Sequence, residues 1–142
     1  MVLGHRDGEA PPLLELARRS LPYGAYVREG ERIKGLIYAP FVEHVREQFA
    51  LQAEVKVGLD AADVPALLSE CRYFIASVHP AIRRPESTPP HRGGHLVLIT
   101  AADAQSVTFH NPSGDSPATR ERVCLPLSRF AAFFAGRGIA IA

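Results

Sequence analysis

Gly93-Gly94-His95-Leu96-Val97-Leu98-Ile99-Thr100 and Val107-Thr108-Phe109-His110-Asn111-Pro112 decide how this chain is read. The first stretch is a histidine at the mouth of an apolar strand. The second is a strand that ends in Asn-Pro, and Ala102-Asp103-Ala104-Gln105 forms the polar reversal between them. Paired antiparallel, the two strands bring the start of one close to the end of the other, so His95 and Asn111, sixteen positions apart, become neighbours. An imidazole oriented by an adjacent amide is half of a nucleophilic triad; the other half is an activated thiol or hydroxyl.

Upstream of this pair, residues 80–94 carry Pro80, Pro85, Pro89, Pro90, Gly93 and Gly94 interleaved with Arg83, Arg84 and Arg92. That composition predicts a surface loop leading straight into His95, and loops of this length are uncommon unless functional or disordered. Before it, Tyr73–Val78 reads as a buried strand. Asp60 is a good N-cap for a helix over 61–71, whose apolar stripe is Val64, Leu67, Leu68 and Cys71, and Asp63 suits the positive helix end. Residues 53–57 alternate and stop at Gly58, as a half-buried strand does. Phe41, Val42, Val45 and Phe49 fall at helical spacing. Residues 22–38, with Gly24, Gly30 and Gly35 and no clean period, read as a loop. Pro11 and Pro12 open a helix through Leu13, Leu14, Leu16 and Ala17. Met1–Leu3 stops at Gly4 and reads as the tail of a helix, since less than one turn is not stable alone. Downstream, residues 112–122 read as a polar loop, 127–134 as a short helix stopped by Gly136 or Gly138, and Ile139-Ala140-Ile141 as a closing strand. Helices first, then mostly antiparallel strands, make an α+β domain.

The 142 residues are the size of one ordinary domain, and a 46 % apolar, 22 % charged composition is that of a globular protein. A net charge of +1 gives no electrostatic argument for nucleic acid or an anionic membrane surface. The basic residues are overwhelmingly Arg, with Lys only at positions 34 and 56. No signal-peptide pattern opens the chain, and no apolar run approaches a bilayer span. Cys71 and Cys124 stand alone and far apart in sequence, which makes neither a disulfide framework nor a zinc site; the expectation is a reducing, cytoplasmic setting.

Among the remaining candidates, His5 and His44 sit beside polar neighbours and read as solvated, while His79, His91 and His110 flank the loops around His95. A metal reading of His91, His95 and His110 matches no known ligand spacing. Cys71 lies at the negative end of a helix, which raises a thiol pKa, and Cys124 lies in a short apolar run; both read as small buried hydrophobes. Ser77 and Ser113 lack the Gly-x-Ser-x-Gly elbow.

With these residues in place, the chain resembles the papain-like cysteine peptidases, specifically the bacteriocin-processing (double-glycine leader) peptidases of bacteria and their stand-alone relatives. Residues 60–78 resemble the helix and apolar strand that precede the histidine. Gly93–Ile99 is similar to the catalytic-histidine strand, Phe109-His110-Asn111-Pro112 to the strand ending in the third triad member, and residues 127–141 to the closing helix and strand. The resemblance covers most of the chain. It implies a papain-like α+β fold, N-terminal helices followed by a mainly antiparallel sheet, with residues 1–142 as a single peptidase-like domain.

By that resemblance His95 is the general base and Asn111 its orienter. The partner is a peptide or protein substrate, with no cofactor, no metal, no nucleic acid and no membrane. In the family the nucleophilic Cys opens the first long helix, with an oxyanion-hole Gln a few residues ahead. Neither is recognisable here, and Met1-Val2-Leu3-Gly4-His5 resembles the end of that helix. The expectation is therefore a cysteine peptidase-like hydrolase domain, N-terminally incomplete and inactive as this chain stands, from truncation or as a natural pseudoenzyme, unless Cys71 or Cys124 is repositioned. The alternative is a catalytically inactive peptide- or partner-binding domain. Without the helix, apolar strand faces are expected to be exposed, giving poor solubility or homodimerisation through that surface.

Overall fold

A computed structural model describes the backbone of residues 1–142 and the side chains of all but Arg28, Arg32, Ile33 and Lys34. Its Cα packing divides the chain into two compact units, Met1–Gln52 and Ala53–Ala142.

The first unit contains helix α1 (Val2–Asp7), helix α2 (Leu13–Ser20), the hairpin of β1 (Tyr26–Glu29) and β2 (Arg32–Leu36), and helix α3 (Tyr38–Phe49). Helix α1 continues through Gly4 and ends at Gly8, whose positive φ of 78° forms a left-handed C-cap that Gly adopts without strain. The hairpin replaces the loop expected over 22–38. Its strands are four and five residues long, with Gly35 at φ 65° inside the second and a register shift beside Tyr26. A pattern that short and interrupted carries no period-two signal.

Helix α3 runs where the Phe41–Phe49 spacing placed it, and it buries Val42, His44 and Val45. His44 is a correction to the sequence reading: it is 2 % exposed, not solvated. Its ring is enclosed by Tyr23 (centroids 5.0 Å), Phe49 (5.6 Å) and Phe41 (6.5 Å). The Tyr23 hydroxyl donates to Glu47 Oε2 at 2.7 Å and accepts from Gln48 Nε2 at 3.0 Å, fixing one wall of that cage.

The second unit is a six-stranded antiparallel sheet with helices. Its strands are β3 (Ala53–Val57), β4 (Tyr73–Val78), β5 (His95–Ala102), β6 (Ser106–His110), β7 (Val123–Pro126) and β8 (Phe134–Ile141), in the order β3-β8-β4-β5-β6-β7. Helix α4 (Val64–Glu70) precedes β4, the four-residue α5 (Pro117–Arg120) precedes β7, and α6 (Leu127–Ala131) precedes β8. Asp60 caps the 3-10 turn Ala61–Asp63 that leads into α4. The box is reciprocal, because Asp63 Oδ2 accepts from the Asp60 N–H at 2.7 Å.

Alternation along the strands separates two faces. Phe74, Ala76 and Val78 on β4 pair with Ile99, Val97 and His95 on β5, and Ile99 pairs with Phe109 on β6. These residues, with Val107, point to one face, where Val64 and Leu67 of α4 and Phe130, Phe133 and Phe134 complete a buried cluster. Phe130 stacks on Phe134 at 5.3 Å, Phe134 meets Phe74 edge-on at 6.1 Å, and Phe130 lies 6.3 Å from Phe109. Each such side chain contributes roughly 1.5–3 kcal/mol on burial.

Further expectations are revised. Strand β7 falls within the short apolar run around Cys124, and the polar segment 112–122 contains α5. The late helix ends at Ala131, and the closing strand begins at Phe134 rather than Ile139. Gly138 does not stop a helix. It sits between Lys56 of β3 and Ala76 of β4, where an added Cβ would overlap the Ile75 carbonyl and reach 2.6 Å from the Phe74 ring. Glycine there serves close backbone approach inside a sheet.

Candidate active site

The site forms on the rim of the helix-covered face. His95 shares that face of β5 with Val97 and Ile99, and Asn111 follows β6 in phase with Val107 and Phe109. Gly93 and Gly94 precede the histidine with φ of 88° and 95°, a conformation that admits glycine and few other residues. Gly93 is also enclosed: a side chain there would crowd Ala135 Cβ at 3.3 Å and Ser77 Oγ at 3.4 Å.

The structure brings His95 and Asn111 together as expected, with 2.7 Å between His95 Nε2 and Asn111 Oδ1. Asn111 is 1 % exposed and held from every side. Its N–H donates to the Arg120 carbonyl at 2.8 Å, its carbonyl accepts from Gly114 N–H at 3.1 Å, and its Oδ1 accepts from Ser113 N–H at 3.1 Å. This last contact assigns the amide. A backbone N–H can only donate, so the atom facing it is oxygen, and the same oxygen faces the imidazole. The ring nitrogen Nε2 must then carry the proton and donate it to Asn111. In the neutral ring Nδ1 is left with its lone pair, unprotonated and able to take a proton.

The loop holding Asn111 is braced internally. Arg120 Nη2 donates back to the Gly114 carbonyl at 3.2 Å, and Ser116 caps α5 through reciprocal bonds with Thr119. The 80–94 segment opens with a 3-10 turn, Pro80–Arg83, capped by His79, whose Nδ1 accepts from Ala81 N–H at 3.1 Å. Arg129 on α6 donates to the carbonyls of Pro85 and Ser87 and lies 5.2 Å from the Phe133 ring centre. Asp115 reaches across from the Asn111 loop to Arg83 (3.7 Å) and Arg84 (3.9 Å). The two segments that carry His95 and Asn111 are therefore tied to each other.

The other candidates fall elsewhere. His79 and His91 meet edge to face with centroids 4.4 Å apart; partial burial of His79, and secondarily its neighbour His91, lowers its pKa. His110 Nδ1 accepts from Arg122 N–H at 3.4 Å. Among the described residues, no group of three or more His, Cys, Asp or Glu side chains forms a metal site.

Cys71 is half-buried beyond the far end of β4, its thiol donating to the Tyr73 carbonyl at 3.3 Å. Since Val78 is the residue opposite His95, Cys71 lies about 20 Å away along the strand. Burial pushes its pKa up, with a smaller push from Glu70. Cys124 is exposed rather than buried, a second correction, because it pairs with Thr108 on the face opposite the core of edge strand β7. Thr108 in turn pairs with Ala101, again about 20 Å along β5 from His95.

Sequence reasoning weighed Ser113 only as a nucleophile, and did not single out Arg120, Asp115 or Arg129. The Asn-x-Ser spacing at 111–113 is a signal for the Asn side chain accepting from the N–H two residues on. The other three act through carbonyls and carboxylates of remote segments, which no local pattern displays.

No protein-family model matches this sequence, and no curated protein matches it. Among solved structures, it is similar to the crystal structure of the peptidase domain of Streptococcus ComA, a bi-functional ABC transporter involved in a quorum-sensing pathway. The match covers 99 % of this chain and 84 % of that one, with a TM-score of 0.65 and 15 % identical residues. No helix among the described residues is long and apolar enough to cross a membrane. The mixed helical and antiparallel-sheet architecture of this chain is the papain-like peptidase-domain fold.

Proposed function

We propose that this chain is a cysteine peptidase-like domain that takes a peptide or protein segment across the His95–Asn111 rim, with His95 as general base and Asn111 holding its tautomer. The observation that carries this reading is the 2.7 Å contact to an oxygen already fixed by Ser113 N–H, which leaves Nδ1 as the free basic nitrogen. Neutral imidazole in that tautomer can take a thiol proton and return it to a leaving amine. The fold shared with a peptidase domain supports the same chemistry.

The positions of Cys71 and Cys124 favour a second reading for this chain by itself: peptide binding without turnover. Each thiol lies about 20 Å along the sheet from His95, and a base must be within hydrogen-bond reach of the proton it abstracts. Homodimerisation belongs to the same proposal. The surface differs from the strand faces expected: among the described residues the most exposed large apolar side chains are Leu13 and Leu14 on α2, at 79 % and 84 %. Sedimentation of the wild type against Leu13→Ser with Leu14→Ser reads whether they mediate a dimer.

Two measurements test the proposal. The 15N shifts of the His95 ring are expected to report the Nε2–H tautomer, lost in Asn111→Ala; a ring protonated at Nδ1 instead would remove the triad reading. A thiol-directed electrophile is expected to label exposed Cys124 faster than Cys71, at rates unchanged in His95→Ala. Labelling of either thiol that slows sharply without His95 would mean that this chain does supply its own nucleophile.

A further inference from the structure

The segments that flank the site concentrate positive charge. Residues 80–94 hold Arg83, Arg84 and Arg92 against Glu86, and residues 111–122 hold Arg120 and Arg122 against Asp115 and Glu121. Five guanidiniums face three carboxylates here, in a chain whose total net charge is only +1. Local pairing does not remove the excess. Asp115 is shared, one oxygen to Arg83 and the other to Arg84, at 3.7 and 3.9 Å; both are long for a charge-assisted hydrogen bond. One carboxylate so divided leaves a guanidinium's worth of charge uncompensated. The Arg84 side chain is 72 % exposed, and Arg92 is exposed immediately before Gly93-Gly94-His95. Arg129 fixes the loop that presents these groups by holding the Pro85 and Ser87 carbonyls.

We infer that Arg84 and Arg92 form a specificity surface beside His95 that selects peptide segments carrying clustered Asp or Glu. The inference rests on the peptide-binding reading above and adds the chemistry of the substrate. Guanidinium suits this task because its planar fork can engage a carboxylate through two hydrogen bonds while remaining charged at any physiological pH. Asp115 then acts as an internal competitor, holding the arginines weakly until a substrate carboxylate displaces it.

The test compares two fluorescent twelve-residue peptides of otherwise identical sequence, one with three Glu residues and one with Gln in their place, by anisotropy. Exposed ion pairs are worth a few-fold each, so the Glu peptide should bind about tenfold tighter at about 20 mM NaCl, shrinking to about twofold at about 0.5 M. Arg84→Glu combined with Arg92→Glu should abolish the preference. Asp115→Asn should tighten the Glu peptide selectively, which a merely structural role for Asp115 would not do. Equal affinity for the two peptides would overturn the acidic preference and leave peptide binding standing. Binding of neither peptide would overturn both readings. A preference that survives the double arginine variant would overturn the assignment to this surface, and displacement of the Glu peptide by a shorter single-stranded RNA would overturn it in favour of nucleic acid.

Discussion

His44 offers a direct test of the energetics of the first unit. It is 2 % exposed, caged by Tyr23, Phe41 and Phe49, and its Nδ1 is the one buried side-chain polar atom without a hydrogen-bond partner among the described residues. An orphaned buried polar group costs about 1–3 kcal/mol, so replacing it with an apolar side chain of similar volume removes a penalty. His44→Leu also loses ring contacts worth about 0.5–1.5 kcal/mol, and the two effects nearly cancel at pH 7.5. They do not cancel in acid. Burial first, and the positive charge of Arg19 second, hold the folded-state pKa of His44 below its ordinary value of 6.5. Tyr23 on the facing turn, and Glu43 and Glu47 on its own helix, are the other titratable groups nearby.

The sign follows from proton counting. Below pH 6.5 the unfolded chain binds a proton that the folded chain refuses, so stability falls as pH falls from 6.5 toward the folded-state value. The slope for one proton approaches about 1.4 kcal/mol per pH unit only once the unfolded imidazole is fully charged, so wild type should lose up to about 1 kcal/mol relative to His44→Leu between pH 6.5 and 5.5. Urea unfolding followed by far-UV circular dichroism, with hydrogen exchange of the α3 amides, reads this out above the range where carboxylates titrate. If His44→Leu and wild type fell in parallel over that window, the buried neutral imidazole would not be the cause.

Two other substitutions test how the second unit is held. Gly138→Ala puts a Cβ into the Ile75 carbonyl and within 2.6 Å of the Phe74 ring, and should destabilise this unit by about 3 kcal/mol or more, visible as a large drop in urea midpoint; a change within about 0.5 kcal/mol would contradict the close approach of β8 to β4. Arg129→Ala frees the Pro85 and Ser87 carbonyls and should make the 80–94 segment the first site of limited proteolysis, with little change in global stability. An unchanged digestion pattern would mean that the loop is held by other contacts.

The sequence was most legible where pattern and chemistry are local. The Asp60 cap follows from the residues of one helical turn, and the strand Tyr73–Val78 and the His95–Asn111 proximity from spacing along one or two adjacent strands. It was least legible where the deciding contact comes from afar. Gly136 and Gly138 read as helix stops because glycine usually is one; only remote backbone explains them as strand residues, the Leu59 carbonyl against Gly136 and the approach of β4 against Gly138. His44 read as solvated because Glu43, Arg46 and Glu47 lie close to it in sequence, yet the rings of Tyr23, Phe41 and Phe49 close over it. Cys124 read as buried from the run Val123–Pro126, but alternation on an edge strand turns every second residue outward.

The strand order has a kinetic consequence. β3 and β4 are consecutive strands in sequence but not in the sheet: β8, the last strand, lies between them and pairs with both. While the chain is being synthesised, β4, β5, β6 and β7 can zip together as successive antiparallel neighbours, but β3 has no sheet partner until residues 134–141 have left the ribosome. For that interval β3 and the outer edge of β4 are both open to any other extended chain, and a pause in synthesis before residues 134–141 would leave them so. Strand β8, made after the other strands of this sheet, thus closes two edges at once.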